Sequence, residues 1–197
     1  MYNLIVAVCK NNGIGLNGTI PWHISRDMSY FSKLTKGSGG GNNVVVMGSQ
    51  TWKSLGKDDR GLNGRHNFIL SASGSVNVNK TSSPQNPHQH QHQHPHQHQH
   101  PQHIKTFPSV AALTTYLAQT SIPIADVWII GGTQIYNAFL EQNLIKTCYV
   151  TYIDKVFECD TFFPIPSDWR EIERTSTYDE KYECAVDYIV YDRVKRL

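Results

Sequence analysis

Three runs of apolar, largely β-branched residues, Tyr2–Cys9, 43–47 and 126–130, constrain this chain more than any other feature. None alternates polar with apolar along its length, so each reads as a strand buried on both faces rather than a half-solvated one. Strands of that kind sit in parallel sheets with helices above and below. Helical stretches fall between them, at 25–35 behind an N-cap at Ser25, at 50–55, from a cap at Ser109 through Gln119, and at 133–142. His66–Leu70 and Ile104–Phe107 supply further strands. Beyond residue 145 the pattern changes: 146–153, 169–177 and Cys184–Arg193 read as strands with no helix between them, expected as antiparallel additions at one sheet edge. The expectation is an α/β fold in a single domain, with a mostly parallel sheet, flanking helices and an antiparallel end. Ligands in such sheets bind beyond the carboxyl ends of the strands.

The apolar fraction, 39%, is low for such a core, and the deficit sits in one place, the polar run from 74 to 103. It reads as a low-complexity His/Gln/Pro loop insertion within one domain covering 1–197, with nothing apolar to bury. Eight of the ten histidines lie there at alternating spacing, and they could hold zinc, nickel or copper loosely. Tolerated loop expansion is the plainer reading, since loop length costs little. Net charge is only +2, with no basic stripe, so no nucleic-acid partner is expected. The first apolar run is too short for a signal segment or a membrane span. Cys9, Cys148, Cys159 and Cys184 form no paired motif, which suits free thiols in a reducing, cytoplasmic setting.

Three features carry chemistry. Asp27 falls on the apolar face of its helix, three and four residues from neighbours on the Phe31–Leu34 side. A carboxylate among aromatics should have a raised pKa and is a candidate ligand group, although a first-turn Asp can also simply complement the helix dipole. Two buried strands run into glycine turns and then helix N-termini, at Gly48-Ser49-Gln50-Thr51 and at Gly131-Gly132-Thr133-Gln134. Such turns bind anions, and two in one small domain point to a pyrophosphate, though neither has the usual three-glycine dinucleotide spacing. Glycines that merely allow close packing are the alternative. Arg65, after Gly61-Leu62-Asn63-Gly64, is placed to clamp a carboxylate, unless it is simply solvated.

With these, further words complete a pattern: Gly13-Ile14-Gly15-Leu16-Asn17-Gly18, Ile20-Pro21-Trp22, Val46-Met47-Gly48 with Thr51-Trp52, Gly64-Arg65, Leu70-Ser71, Ile130-Gly131-Gly132 with Tyr136, Thr151, and Cys159-Asp160-Thr161-Phe162-Phe163-Pro164. In this order, over nearly the whole chain outside the His/Gln tract, the sequence resembles the dihydrofolate reductase family. Trp22-His23-Ile24-Ser25 and the Cys159–Pro164 words lean toward its eukaryotic-type branch. The resemblance implies an eight-stranded, mostly parallel sheet with an antiparallel C-terminal strand. It also implies NADPH-dependent reduction of 7,8-dihydrofolate to 5,6,7,8-tetrahydrofolate, supporting one-carbon metabolism and thymidylate synthesis, in a monomer whose partners are dihydrofolate and antifolate small molecules.

Carried onto these positions, Asp27 would bind the pterin, helped by Thr151 and by a water on Trp22, with Tyr136 near the nicotinamide. The carbonyls of Ile5 and Ile130 would line the pterin slot. Met28, Phe31, Leu55 and Leu62 would pack the benzoyl group, and Arg65 would pair with the glutamate carboxylate. For the cofactor, Ala7, Ile14 and Gly15 would meet the carboxamide side. Gly48, Ser49, Gln50, Thr51, Gly131, Gly132, Thr133, Gln134 and Ile135 would surround the phosphates, while Leu70 and Ser71 flank the adenosine. The family has a cis peptide at the glycine pair, expected here between Gly131 and Gly132. The loop 15–21 would close over the nicotinamide, held by Asp160. One departure stands out: Ser49, Gln50, Gln134 and Ala72 occupy places where family members often carry the cations that meet a 2′-phosphate. Lys53, Lys57 or a tract histidine could replace them. Two other readings remain in view, a reductase of the same fold acting on a ribosylated pyrimidine of flavin synthesis, and a His-rich metal-binding protein.

Overall fold

In the computed structural model, residues 2–38, 41–55, 61–73 and 103–194 are described. The His/Gln tract up to residue 102 and Lys57 fall outside them. In chain order the elements are β1 (Tyr2–Cys9), β2 (Gly13–Gly15), α1 (Ser25–Lys36), β3 (Val44–Gly48), α2 (Ser49–Ser54), β4 (His66–Leu70), β5 (Ile104–Phe107), α3 (Val110–Gln119), β6 (Val127–Gly131), α4 (Thr133–Glu141), β7 (Thr147–Ile153), β8 (Thr161–Phe162), β9 (Trp169–Asp179) and β10 (Cys184–Arg193). Eight strands form one sheet in the order β5-β4-β3-β6-β1-β7-β10-β9, and β2 pairs with β8 apart from it.

The chain's first strand therefore lies inside the sheet, parallel to β6 on one side and to β7 on the other. This corrects one sequence expectation. The strand at 146–153 is not an antiparallel edge addition, because α4 precedes it as a crossover and returns the chain parallel to β1. Only β10 is reversed, antiparallel to both β7 and β9. The long hairpin β9–β10 closes that edge, and β9 is exposed along most of its length.

Alternate residues of the central strands feed opposite faces. Leu4, Val6 and Val8 join Val44, Val46, Phe68, Leu113 and Phe139 on the α3–α4 side. Ile5, Val45, Met47 and Trp128 face the other way, against Trp52 of α2 and against Phe31 and Leu34 of α1. The face expected for α1 from its spacing is the one it uses. Its N-cap is Ile24 rather than Ser25, without a side-chain cap, so the expected serine cap is not made. Ser25 has instead been drawn into the helix, where its carbonyl accepts from Ser29. The helix stops at Gly37, in left-handed backbone at φ 63, whose N–H returns to the Lys33 carbonyl. Ser109 does cap α3, accepting from the Ala112 N–H at 3.1 Å.

Candidate active site

Thr151 of β7 lies in register with Ala7 of β1 and with Tyr188 of β10, so the three side chains share the sheet face beneath α1. Asp27 comes down onto this row and takes a hydrogen bond from the Thr151 hydroxyl. Desolvation pushes its carboxyl above the ordinary value, while the Thr151 bond works against the rise. Trp22 is buried in a cluster with Cys9, Ile24, Ile153 and Val186, against which Ala7 and Tyr188 also pack, and its Nε1–H has no protein partner among the described residues. On the neighbouring strands, the buried Tyr136 hydroxyl donates to the Ile5 carbonyl at 2.9 Å, leaving that oxygen one further lone pair. Ile130 is half-buried on the same face as Phe31 and Leu62.

Arg65 marks the far end of α1. Its Nη1 donates to the Thr35 hydroxyl at 2.6 Å, its Nε to the Asn63 carbonyl at 3.2 Å, and its guanidinium lies over the Phe31 ring. The side chain is buried, and desolvation lowers its pKa to about 10, still charged at neutral pH. Among the described residues no carboxylate pairs with it. A buried cation without a counter-ion has a free energy deficit that an incoming anion relieves. Along α1 between Asp27 and Thr35, Phe31 and Leu34 join Leu62 in one apolar cluster, while Met28 and Leu55 are 52% and 40% exposed.

The two glycine turns stand side by side, because they end neighbouring parallel strands. An added Cβ at Gly48 would meet Ile135 at 3.1 Å, and one at Gly131 would meet the Tyr136 ring at 2.9 Å. Each turn therefore needs glycine for the close approach of α4. The Gly131–Gly132 peptide is cis. Helices α2 and α4 start on Gly48 and Gly132 with no side-chain cap, in contrast to α3, so their first amide N–H groups stay open toward the strand ends. This arrangement suits a pyrophosphate. Thr51 and Gly132 face each other, with 3.7 Å between the Thr51 hydroxyl and an added Cβ. Thr133 spends its hydroxyl on the Phe162 carbonyl, leaving only its backbone for a ligand. Ser49 is half-exposed, and Gln50, Ala72, Gln134 and Lys53 are exposed. The Leu70 side chain belongs to the core, while Ser71 ends β4 and its hydroxyl meets Ser73.

Residues 15–21 form a loop over this edge. A tight turn with Asn17 and Gly18 both at positive φ closes through reciprocal Leu16 and Thr19 bonds. Asp160 fastens it, accepting from the Asn17 N–H at 2.7 Å while its own N–H reaches the Gly15 carbonyl. Ile14 packs toward the core from β2, and β8 ties the loop to the start of α4 through Thr133.

Sequence reading missed several residues that hold these groups in place. Asn67, buried in β4, clamps the Arg65 loop by bonding the Leu62 N–H, the Leu62 carbonyl and the Arg65 carbonyl. Asn43 links the Thr35 carbonyl to the Asp126 N–H. A polar residue in an otherwise apolar strand was the available signal, since buried amides persist only where their bonds are made.

Comparison with known proteins gives a consistent result. A family model for dihydrofolate reductase matches residues 1–98 and 90–193, two stretches that overlap within the His/Gln tract. A dihydrofolate reductase of Aedes albopictus is 28% identical over 204 residues, spanning 99% of this chain and 98% of its own. One from Drosophila melanogaster is 31% identical over 87% of this chain and 84% of its own. One from Gallus gallus is 32% identical over 89% and 84%.

Proposed function

The chain belongs to the dihydrofolate reductase family, and we propose that it reduces 7,8-dihydrofolate to 5,6,7,8-tetrahydrofolate with NADPH. One observation carries the substrate reading. Asp27 and Thr35, the residue that holds Arg65, lie eight positions apart on α1, roughly 12 Å at 1.5 Å per residue. A carboxylate at one end, a guanidinium with no carboxylate partner among the described residues at the other, and the apolar Phe31 and Leu34 between them match a flat donor-bearing ring, an aromatic spacer and a terminal carboxylate. The pyrimidine alternative has no use for Arg65. Folate-shaped antifolates fit the same description.

When bound, the reduced nicotinamide supplies a hydride to the pterin carbon next to N5, and N5 takes a proton delivered through water. The protein's residues orient and polarise. Asp27 receives the 2-amino and N3–H side of the ring and supports positive charge toward N5. The Ile5 and Ile130 carbonyls limit the slot, and Tyr136 braces Ile5. Gly48, Gly131, Gly132 and the first turns of α2 and α4 would hold the pyrophosphate, with the loop 15–21 excluding water from the nicotinamide. The direct test is loss of absorbance at 340 nm with dihydrofolate and NADPH; no decay under any cofactor would defeat the reading. The four free cysteines accord with a cytoplasmic enzyme, which we take to act as a monomer.

The cofactor's 2′-phosphate would meet hydroxyl and amide groups rather than cations at Ser49, Gln50 and Gln134, and Ala72 offers it no polar group. Neutral donors hold a dianion less firmly than guanidinium forks do. NADPH should therefore remain preferred, but by less than about a thousandfold in kcat/KM over NADH, roughly 4 kcal/mol. A larger ratio would show that another cation reaches the phosphate.

We take the tract as a tolerated expansion of the β4–β5 connection. Its last residue is the exception: His103 donates its N–H to His66 Nδ1, and its carbonyl accepts from Asn67. Removing 84–100 while keeping His103 should leave kcat and both KM values within about twofold, since loop length enters closure entropy only logarithmically. A large loss would assign the tract a role in turnover.

A further inference from the structure

Cys9 and Cys159 are 150 residues apart in the chain, yet their sulfurs lie 3.8 Å from each other as free thiols. Cys9 ends β1 and is fully buried; Cys159 is half-buried on the segment leading into β8. Gly13 stands between them. An added Cβ there would come within 2.3 Å of the Cys159 sulfur and 3.0 Å of the Cys9 sulfur, so glycine at this position is what lets the two thiols touch. The other two cysteines are elsewhere. Cys148 belongs to the core on the opposite face of the sheet, and Cys184 is held on β10, with β7 between it and β1.

The Cys9 thiol donates to Asn11 Oδ1 at 2.8 Å. Each thiol has one hydrogen, so in the sulfur–sulfur contact Cys159 is the donor and Cys9 turns a lone pair toward it. Burial, then the bond to Cys9, pushes the Cys159 thiol up to about 11, with the Gly15 N–H working against the rise. The thiolate is the reactive form, so at neutral pH the pair rests as thiols and yields only to an oxidant that persists. Around it, residues 157–163 are docked on residues 11–17 by single bonds. Asn11 Nδ2 donates to the Phe157 carbonyl at 3.3 Å, the Phe163 N–H to the Asn12 carbonyl at 2.9 Å, and Asp160 exchanges bonds with Gly15 and Asn17. Exposed bonds of this kind open locally at small cost.

We propose that Cys9 and Cys159 are a modification site, a dithiol that hydrogen peroxide converts reversibly into a disulfide, and that this bond locks residues 157–163 onto the end of β1. The half-buried Cys159 reacts first. Its sulfur attacks one peroxide oxygen, the O–O bond breaks, and the departing hydroxide takes the thiol proton as water. Cys9 then attacks the sulfur of the resulting sulfenic acid. The S–S bond forms, the S–O bond breaks, and the second hydroxide leaves as water with the Cys9 proton. The two thiols have together lost two electrons, and the peroxide has become two waters. The bond nearly halves the present separation, to about 2.05 Å. Asp160 is then held under the Asn17 N–H each time the loop 15–21 lifts, which favours reclosing and slows product release. That last consequence rests on the dihydrofolate reading; the bond itself does not.

The test treats the whole chain with hydrogen peroxide, quenches with iodoacetamide in denaturant and maps the peptides by mass. Cys9 and Cys159 should be recovered as one linked pair, with Cys148 and Cys184 alkylated. Steady-state turnover of the oxidised protein should fall roughly threefold to tenfold and recover with dithiothreitol, while the first turnover, which precedes product release, keeps its rate. Cys159→Ser should match the untreated enzyme in kcat and show no fall with peroxide. A sulfonic acid on Cys159 with Cys9 still alkylated, or a linked pair that includes Cys184, would overturn the site. A Cys9–Cys159 pair with unchanged kcat would overturn the lock. If dihydrofolate proves not to be the substrate, the peptide map still decides the bond.

Discussion

Asp27→Asn should lower kcat for dihydrofolate at neutral pH by two to four orders of magnitude, the range for removing a group that governs proton transfer. The amide keeps the shape and can still accept from the Thr151 hydroxyl, so the loss isolates the charge. Stability should move the other way. Because Asp27 has its carboxyl pKa raised by burial, the favourable contribution is complete below the ordinary carboxylate pKa and is lost as pH rises through the folded value. At neutral pH the ionised group is therefore a liability in the unliganded protein, and Asn removes it. A higher melting temperature with turnover nearly abolished is the expected pair of results. Near-normal turnover would remove Asp27 from the reaction, and a marked drop in melting temperature would show that its role is structural.

The second large effect belongs to Arg65→Leu. Leucine preserves contact with Phe31 but deletes the guanidinium. KM for dihydrofolate should rise by roughly thirtyfold to a thousandfold, corresponding to about 2–4 kcal/mol for loss of one partner in a buried charged pair. The change in kcat should be small, since the proposed site puts the reacting atoms at the Asp27 end of α1. A pterin substrate that stops at the benzoyl group supplies the control, because it presents no carboxylate. Wild type and variant should then have the same KM. Equal loss on both substrates would mean that the variant had disturbed Thr35 and the helix end instead.

The parts of this molecule visible in its sequence are those where one residue type answers one physical demand. Val44–Met47 and Val127–Ile130 had to be buried strands, and glycines had to follow where α4 passes within contact distance. Asp27 was conspicuous because a carboxylate is costly on an apolar face. Less legible was anything decided by pairing across the sheet. The direction of β7 depends on α4 acting as a crossover, and the short β2–β8 pair has too few residues for a periodic signal. Tyr188 alternates with its neighbours like any other residue of a strand. Only the register that sets it opposite Thr151 places it at the Asp27 corner. Ser25 failed as a cap because propensity favours serine there without requiring it, and Ile24 lies buried against Trp22.

The interior position of β1 has a consequence for the order of events during synthesis. Strand β1 is made before either of its partners and finds no lasting one until residues 127–131 and 147–153 have followed, and β7 in turn awaits 184–193. At roughly 5–20 residues per second, Tyr2–Cys9 waits for several seconds or longer as an apolar segment with both edges unpaired. Fragments that end before β6 should aggregate rather than accumulate as folded intermediates, and the His/Gln tract lengthens the wait. Folding of this enzyme is thus governed by its last third, although its first strand lies at the centre of the sheet.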